Sequence, residues 1–260
     1  TWATPGYPIY ERGARLAGAR GNPIRLSGDF VFRPEMIDDQ AWLDSAIVWT
    51  CSPHNPAGTT MDRATVKGFV ERARESETWL FADECYVDLY EEEPPASVLE
   101  FAGQGSPGVL SFLSLSKRSG MTGYRSGAVV GDAAAISRLT ALRVATGTAS
   151  PEFVQAAAIA AWSDDDHARI RRETFTAKRR VLQAALESAG LEVVGSNAGL
   201  YVWMRVTDDI SVTAALLDHG VVVSPGRAFG SGGEGYIRLA LVPTLDECAE
   251  AAEAVVRCLT

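Results

Sequence analysis

The sequence predicts an α/β fold, with a mostly parallel sheet in a large N-terminal domain followed by a small α+β C-terminal domain. Three observations carry this expectation. Short runs that are apolar on both faces alternate with helical patterns over the first two thirds of the chain, as in a sheet covered on both sides. Polar residues cluster just past the carboxyl ends of those runs, where open α/β sheets place their ligands. Beyond Gly190 the pattern shifts to shorter strands and two helices. The expected division is residues 1–165 for the large domain and 166–260 for the small one, both of normal domain size.

Each element has a local reason. Ala46–Thr50 reads as a strand and Cys51–Gly58 as its loop. Thr59, with Asp62 three residues on, is expected to cap a helix whose apolar face is Val66, Phe69, Val70 and Ala73. Trp79–Ala82 is the next strand and runs into Asp83-Glu84. A Pro/Gly-rich stretch, Pro94–Gly108, precedes the strands Val109–Leu113 and Gly127–Gly131. Helical patterning covers Pro151 to Gly190, with Pro151 suited to a first turn. There the acidic cluster Asp164-Asp165-Asp166 either interrupts the helix or caps a second one through Arg171, Lys178 and Leu186. In the tail, Leu191–Val194, Leu200–Val206, Val221–Ser224 and Tyr236–Leu241 read as strands, and Val212–His219 and Asp246–Leu259 as helices. No internal repeat or low-complexity tract interrupts this order.

Composition narrows the function classes. With 47% apolar residues among 260, the chain can bury a large core. The net charge of −9 is spread with both signs interspersed, so a nucleic-acid surface, which needs a basic stripe, is not expected. Nor is a polybasic membrane contact. Glu91-Glu92-Glu93 reads as a solvated loop. Cys51, Cys85, Cys248 and Cys258 form no CxxC pair, and His54, His167 and His219 are the only histidines, so no metal site is expected. Four reduced thiols suit a cytoplasmic protein. No apolar stretch reaches the roughly 18 residues of a membrane span. The sequence starts at Thr1 without a methionine and so carries no reading of a signal peptide either way.

The chemistry centres on Lys117. It lies in Ser114-Leu115-Ser116-Lys117-Arg118 at the end of the Val109–Leu113 run, eight residues before Arg125 in Gly123-Tyr124-Arg125-Ser126-Gly127. A lysine at the end of a buried strand loses solvation, which disfavours its charged form and frees its lone pair to attack an aldehyde. The hydroxyls and the arginine nearby suit a phosphate. Together these parts describe a pyridoxal phosphate site.

Four motifs in order then become specific: Asn55-Pro56-Ala57-Gly58, Asp83-Glu84-Cys85-Tyr86, Ser114-Leu115-Ser116-Lys117 and Tyr236-Ile237-Arg238-Leu239. In this the chain resembles the class I/II aminotransferases among the fold-type I pyridoxal-phosphate enzymes, from Thr1 to Thr260. The resemblance implies a role for each position. Lys117 joins the cofactor's aldehyde and carries the proton at Cα. Asp83 pairs with the pyridine nitrogen, keeping the ring an electron sink. Tyr86 and Asn55 bind the phenolic oxygen, and Tyr7 stacks on the ring. Ser114 and Arg125 hold the phosphate, arginine by its planar fork. Cys85 packs beside the cofactor without thiol chemistry, and Ser116 stands behind the contacts. Arg238 grips the substrate carboxylate, the partner that an arginine in an apolar strand requires.

The stretches Ser114–Gly127, Ala198–Trp203 and Gly220–Gly226 are most similar to bacterial succinyldiaminopimelate transaminases. The expected reaction is amino transfer between N-succinyl-L,L-diaminopimelate and 2-oxoglutarate in lysine biosynthesis, by a homodimer. Alternatives are an aspartate-type or other amino-acid aminotransferase, a pyridoxal-phosphate lyase, or a non-catalytic cofactor-sensing domain. The resemblance also implies on the order of 100 further residues ahead of Pro5, with a phosphate loop at a helix N-terminus. The chain is therefore expected to be N-terminally truncated and not fully competent alone.

Overall fold

The computed structural model describes residues 1–260. The chain begins β1 (Trp2–Thr4), α1 (Ile9–Leu16), β2 (Pro23–Arg25), α2 (Asp39–Asp44), β3 (Ile47–Cys51) and α3 (Arg63–Glu75). It continues β4 (Trp79–Asp83), β5 (Val109–Ser114), α4 (Leu115–Arg118) and β6 (Gly127–Gly131). Helices α5 (Ala133–Ala145), α6 (Glu152–Trp162) and α7 (Asp166–Ser188) follow. The remainder is β7 (Val193–Val194), β8 (Tyr201–Arg205), α8 (Asp209–Asp218), β9 (Ser224–Pro225), β10 (Tyr236–Ala240) and α9 (Leu245–Leu259).

Two sheets organise these elements. The first has six strands in the order β2-β1-β3-β4-β5-β6, parallel except for the last pair, β5 and β6. The second has four, in the order β7-β8-β10-β9, with antiparallel pairing throughout. The expected mostly parallel sheet is therefore present, and its parallel strands all point their carboxyl ends the same way.

Helix α3 forms as the periodicity predicts: Val66, Phe69, Val70 and Ala73 are its buried face, packed on Val48, Leu80 and Ala82 of the sheet. Its cap is Asp62 alone, whose carboxylate accepts from the Thr65 backbone N–H. Thr59, expected to share that task, instead donates its hydroxyl to the Phe30 carbonyl. On the opposite face of the sheet Ile47, Trp49, Trp79, Phe81 and Phe112 are only half-buried. Trp49 packs there edge-on to Phe81 at 5.1 Å and tilted against Phe112 at 5.0 Å.

Two expected strands are shorter than the sequence suggests, for one shared reason. Leu191 N–H bonds back to the Leu186 carbonyl at 3.0 Å, and Val221 N–H to Leu216 at 2.9 Å. Each apolar residue closes the end of the preceding helix just after a left-handed glycine, Gly190 or Gly220. Pairing is left to Val193–Val194 and Ser224–Pro225. Between α6 and α7 the acidic cluster does interrupt the helical run: Asp164 accepts from the Asp166 N–H at 2.9 Å where the second helix begins.

One of the joints between the two sheets is the loop after β3. At Gly58 φ is +64°, and a Cβ there would stand 2.8 Å from the Ala198 carbonyl oxygen. Only glycine permits both the conformation and the approach. Across this contact Ala198 N–H bonds Gly58 O at 2.9 Å, and Ser196 N–H bonds Ala57 O at 2.7 Å. The loop after β3 is thereby fixed against the loop before β8.

Candidate active site

Four adjacent parallel strands deliver side chains to one place. Tyr7 and Tyr10 follow β1, and His54 and Asn55 follow β3. Asp83 ends β4 with Tyr86 three residues on, and Ser114 ends β5 with Lys117 in the short α4. The second sheet adds Tyr201 from β8, Ser224 from β9 and Arg238 from β10. In that sheet Arg238 pairs with Trp203, which sets its side chain diagonally across from Tyr201.

Lys117 Nζ makes no hydrogen bond and no ion pair; its defined neighbour is the Tyr86 ring, 5.6 Å from amine to centroid. Its own carbonyl is tied down, accepting from Arg171 Nε at 2.8 Å. The backbone is thus anchored while the amine is left free.

Asp83 is buried, and both its carboxylate oxygens are addressed. Tyr10 Oη donates to Oδ2 at 2.7 Å, and the Cys85 N–H donates to Oδ1 at 3.2 Å. Tyr10 is itself stacked on Trp49 with centroids 5.1 Å apart. Burial first, then the neighbouring Cys51 and Asp83, push the Tyr10 phenol well above its ordinary range, so it stays a donor. Burial likewise pushes the Cys51 and Cys85 thiols up, leaving them un-ionised.

Arg238 fixes the orientation of the next residues. Its Nη1 donates to Asn55 Oδ1 at 2.8 Å, and because arginine only donates, the Asn55 Nδ2 must be the donor toward Tyr86 Oη, at 3.4 Å. Tyr86 Oη meets Tyr201 Oη at 3.1 Å. Arg238 lies between two rings, 4.0 Å from the Tyr201 centroid and 4.5 Å from Phe229. Its Nη2 reaches Ser224 Oγ at 3.4 Å, but the buried Nε has no partner. Burial draws its pKa down, opposed by Tyr201, Tyr86 and Tyr7. No carboxylate pairs with it, so the guanidinium keeps donor capacity for an incoming anion.

Ser114 Oγ accepts from the Ser116 N–H at 3.2 Å, capping α4. Arg125, exposed and at φ +54°, donates to the Thr122 carbonyl at 3.0 Å. The two do not touch, but with Ser116 and Cys85 they line one cavity of about 1260 Å³ along the half-buried sheet face. Tyr7 is 44% exposed and meets Tyr10 edge-on at 5.9 Å.

Of the residues singled out in the sequence, Asn55, Tyr86, Lys117 and Arg238 thus form one continuous cluster. Asp83 and Tyr7 join it through Cys85 and Tyr10, and the pair Ser114 and Arg125 stands apart. Sequence reasoning missed Tyr10, Tyr201, Ser224 and Phe229. Tyr10 was legible as the third residue after Tyr7, which a helical turn returns to the same side. Tyr201 sat in a quoted motif with its partner, Tyr86, 115 positions away.

The 4-dedimethylamino-4-oxo-anhydrotetracycline transaminase OxyQ of Streptomyces rimosus is 37% identical over 249 residues, 95% of this chain and 67% of its own length. A probable aminotransferase of Mycobacterium tuberculosis is 38% identical over 94% of this chain and 57% of its own length. An LL-diaminopimelate aminotransferase of Aquifex aeolicus is 31% identical over 96% and 67%. The chain therefore spans between just over half and two thirds of these relatives. Among solved structures, a probable N-succinyldiaminopimelate aminotransferase of Thermus thermophilus superposes with a TM-score of 0.89 at 27% identity, covering 99% of this chain and 71% of that one. The fold is that of the fold-type I enzymes. The family model described as aminotransferase class I and II matches residues 2–255, and the free lysine and buried aspartate past the strand ends, with an arginine in β10 that no carboxylate pairs, agree with it: the chain belongs to that family.

Proposed function

We propose that the protein moves an amino group between an amino acid and a 2-oxo acid, with Lys117 as its catalytic residue. The observation that carries this reading is the continuous path from Arg238 through Asn55 and Tyr86 to the unpaired amine of Lys117. One end suits a carboxylate and the other an aldehyde or the α-position beside that carboxylate.

The family depends on pyridoxal phosphate, and the side chains present fit it: an amine without an acceptor, a buried carboxylate and an arginine Nε without a partner. Asp83 would hold the ring nitrogen, Tyr86 and Asn55 the phenolic oxygen, Tyr7 the ring face, and Ser114 with Arg125 the phosphate. When bound, the cofactor supplies an aldehyde to receive the amino group and a ring to store the electron pair released at Cα. Lys117 Nζ would take the proton from substrate Cα and deliver it to the cofactor carbon that bore the aldehyde. Arg238 binds the α-carboxylate with two N–H groups and so orients the Cα–H bond. The walls Tyr201 and Phe229 exclude water from that ion pair.

For the substrate we favour N-succinyl-L,L-diaminopimelate with 2-oxoglutarate, in lysine biosynthesis. The Thermus structure and the similar stretches around Lys117 and Tyr201 support it, and the Aquifex relative keeps unsuccinylated L,L-diaminopimelate as the second reading. The same reading includes the division at 165/166, a homodimer and a cytoplasmic location, the last supported by four free thiols. No helix is long and apolar enough to cross a membrane.

The test uses the full-length protein loaded with pyridoxal phosphate. A visible absorbance band that Lys117→Ala abolishes, followed by its loss on adding the amino donor and its return with 2-oxoglutarate, is the expected result. Comparing the succinylated and free diaminopimelates as donors separates the two substrate readings. A band that forms but never responds to any amino donor would overturn the transaminase assignment.

A further inference from the structure

The resemblance assigns Tyr201 no role, yet it makes the closest polar contact to Tyr86 in the site. Their hydroxyls are 3.1 Å apart, their rings meet at 66° with centroids 5.7 Å apart, and both side chains are nearly inaccessible, at 6% and 5%. The Tyr201 ring also lies under the Arg238 guanidinium, at 4.0 Å. Tyr201 therefore touches both the group proposed to bind the substrate carboxylate and the group proposed to bind the cofactor's phenolic oxygen.

The direction of the bond follows from the residues around it. Arg238 takes the Asn55 carbonyl oxygen, so Asn55 donates to Tyr86 Oη. Tyr86 has one proton, and if that proton is turned toward the cofactor, the only arrangement left is for Tyr201 to donate to Tyr86. A cation above a phenol ring withdraws charge from it and makes its hydroxyl a better donor. Hydrogen bonds in such a chain strengthen one another in a low dielectric. The charged and titratable groups around the pair are Arg238, Lys117, Asp83 and Cys51.

We propose that Tyr201 is a positioning residue that holds the Tyr86 hydroxyl as a donor to the cofactor's phenolic oxygen and passes the charge state of Arg238 to it. The proposal rests on the transaminase reading. Without a carboxylate, Arg238 polarises Tyr201, and Tyr86 donates strongly. A bound carboxylate neutralises Arg238, the chain relaxes, and Tyr86 donates less. The proton affinity at the Lys117 nitrogen then rises as substrate binds, when that nitrogen must take up a proton. Two arms carry this, one through Asn55 and one through Tyr201.

The experiment is an absorbance titration of the full-length holoenzyme against pH, with and without succinate as a carboxylate that has no amine to transfer. Tyr201→Phe keeps the ring and removes only the hydroxyl. Its titration midpoint is expected to rise by about half a pH unit, a roughly three-fold change in the protonation constant, the size of one modest hydrogen bond. The upward shift that succinate causes in the unaltered protein is expected to shrink. Tyr86→Phe should shift the midpoint further, and the double variant should match Tyr86→Phe alone, because Tyr201 acts through Tyr86. A merely structural tyrosine would alter melting without moving the midpoint. The inference is overturned if the Tyr201→Phe titration superimposes on the parent's, or if the Tyr201 effect persists undiminished without the Tyr86 hydroxyl. No Lys117-dependent band in the parent would overturn the transaminase reading along with it, whereas a normal band with no coupling overturns this inference alone.

Discussion

Tyr10 donates a 2.7 Å hydrogen bond to Asp83 from a helix that starts five residues after the first strand. Both groups are buried, and the tyrosine is held flat against Trp49. The bond therefore fixes the carboxylate that the proposed function aims at the pyridine nitrogen. Hydrogen bonds to charged groups contribute about 1.5–3 kcal/mol, so Tyr10→Phe should weaken pyridoxal phosphate binding on the order of ten-fold or more. Equilibrium dialysis of the full-length protein measures this directly. Unchanged cofactor affinity would remove Asp83 from the cofactor's environment.

Arg238 holds Asn55 and keeps its Nε unpartnered, so its fork geometry matters as much as its charge. Arg238→Lys preserves the charge but loses the planar pair of donors. It also releases the Asn55 amide, which is then free to turn. We expect kcat/KM for the amino donor to fall about 10- to 100-fold, from roughly 1.5–3 kcal/mol of charge-assisted bonding. The Lys117-dependent absorbance band should remain. Steady-state kinetics alongside the spectrum distinguish this from loss of the cofactor.

The sheet and most of the site were legible because strand ends and motif residues are local signals. Asp83, Ser114 and Lys117 follow apolar runs directly, and α3 announces itself by its spacing. What stayed hidden depends on distance or brevity. Strands β1 and β2 have three residues each, too few for any periodicity to emerge. The Tyr86–Tyr201 contact joins the turn after β4 to a strand of the other sheet, and nothing in either segment names the other. Val221 and Leu191 read as strand residues because they are apolar. Their apolarity serves the helix ends they close.

His54 is buried and neither ring nitrogen makes a hydrogen bond; the Pro5 carbonyl lies near enough to favour the protonated ring only slightly. Burial lowers its pKa from 6.5 to about 4. The unfolded chain therefore binds this proton more readily, and folding stability falls as pH drops from 6.5 toward 4, then levels off for this group. Between 6.5 and about 4 the full effect is on the order of 3 kcal/mol. Urea midpoints measured across that window should slope less in His54→Gln than in the parent. Parallel slopes would mean that the ring is solvated in the folded protein.

Asp209 opens α8 fully buried, and its carboxylate accepts from the backbone N–H, Nε and Nη2 of Arg227 at 2.7–3.0 Å. Arg227 lies two residues before Phe229, the ring that walls Arg238, so this pair sets that wall. The Arg227 hydrogen bonds, against the opposing effect of burial, hold the Asp209 pKa down at about 2. A depressed carboxyl pKa adds stability that is complete above the unfolded value of 3.8 and is lost as pH falls through about 2. Removing one partner of a buried pair costs about 3–5 kcal/mol, and with Arg227 half-exposed to water the lower end applies. Asp209→Ala should therefore lower the urea midpoint at neutral pH by an amount equivalent to about 3 kcal/mol. It should also raise KM for the amino donor more than it lowers kcat, because the displaced Phe229 no longer holds Arg238 in place. A variant as stable as the parent would show that the pair offsets only its own desolvation. An unchanged KM would show that the Arg238 wall stands without it.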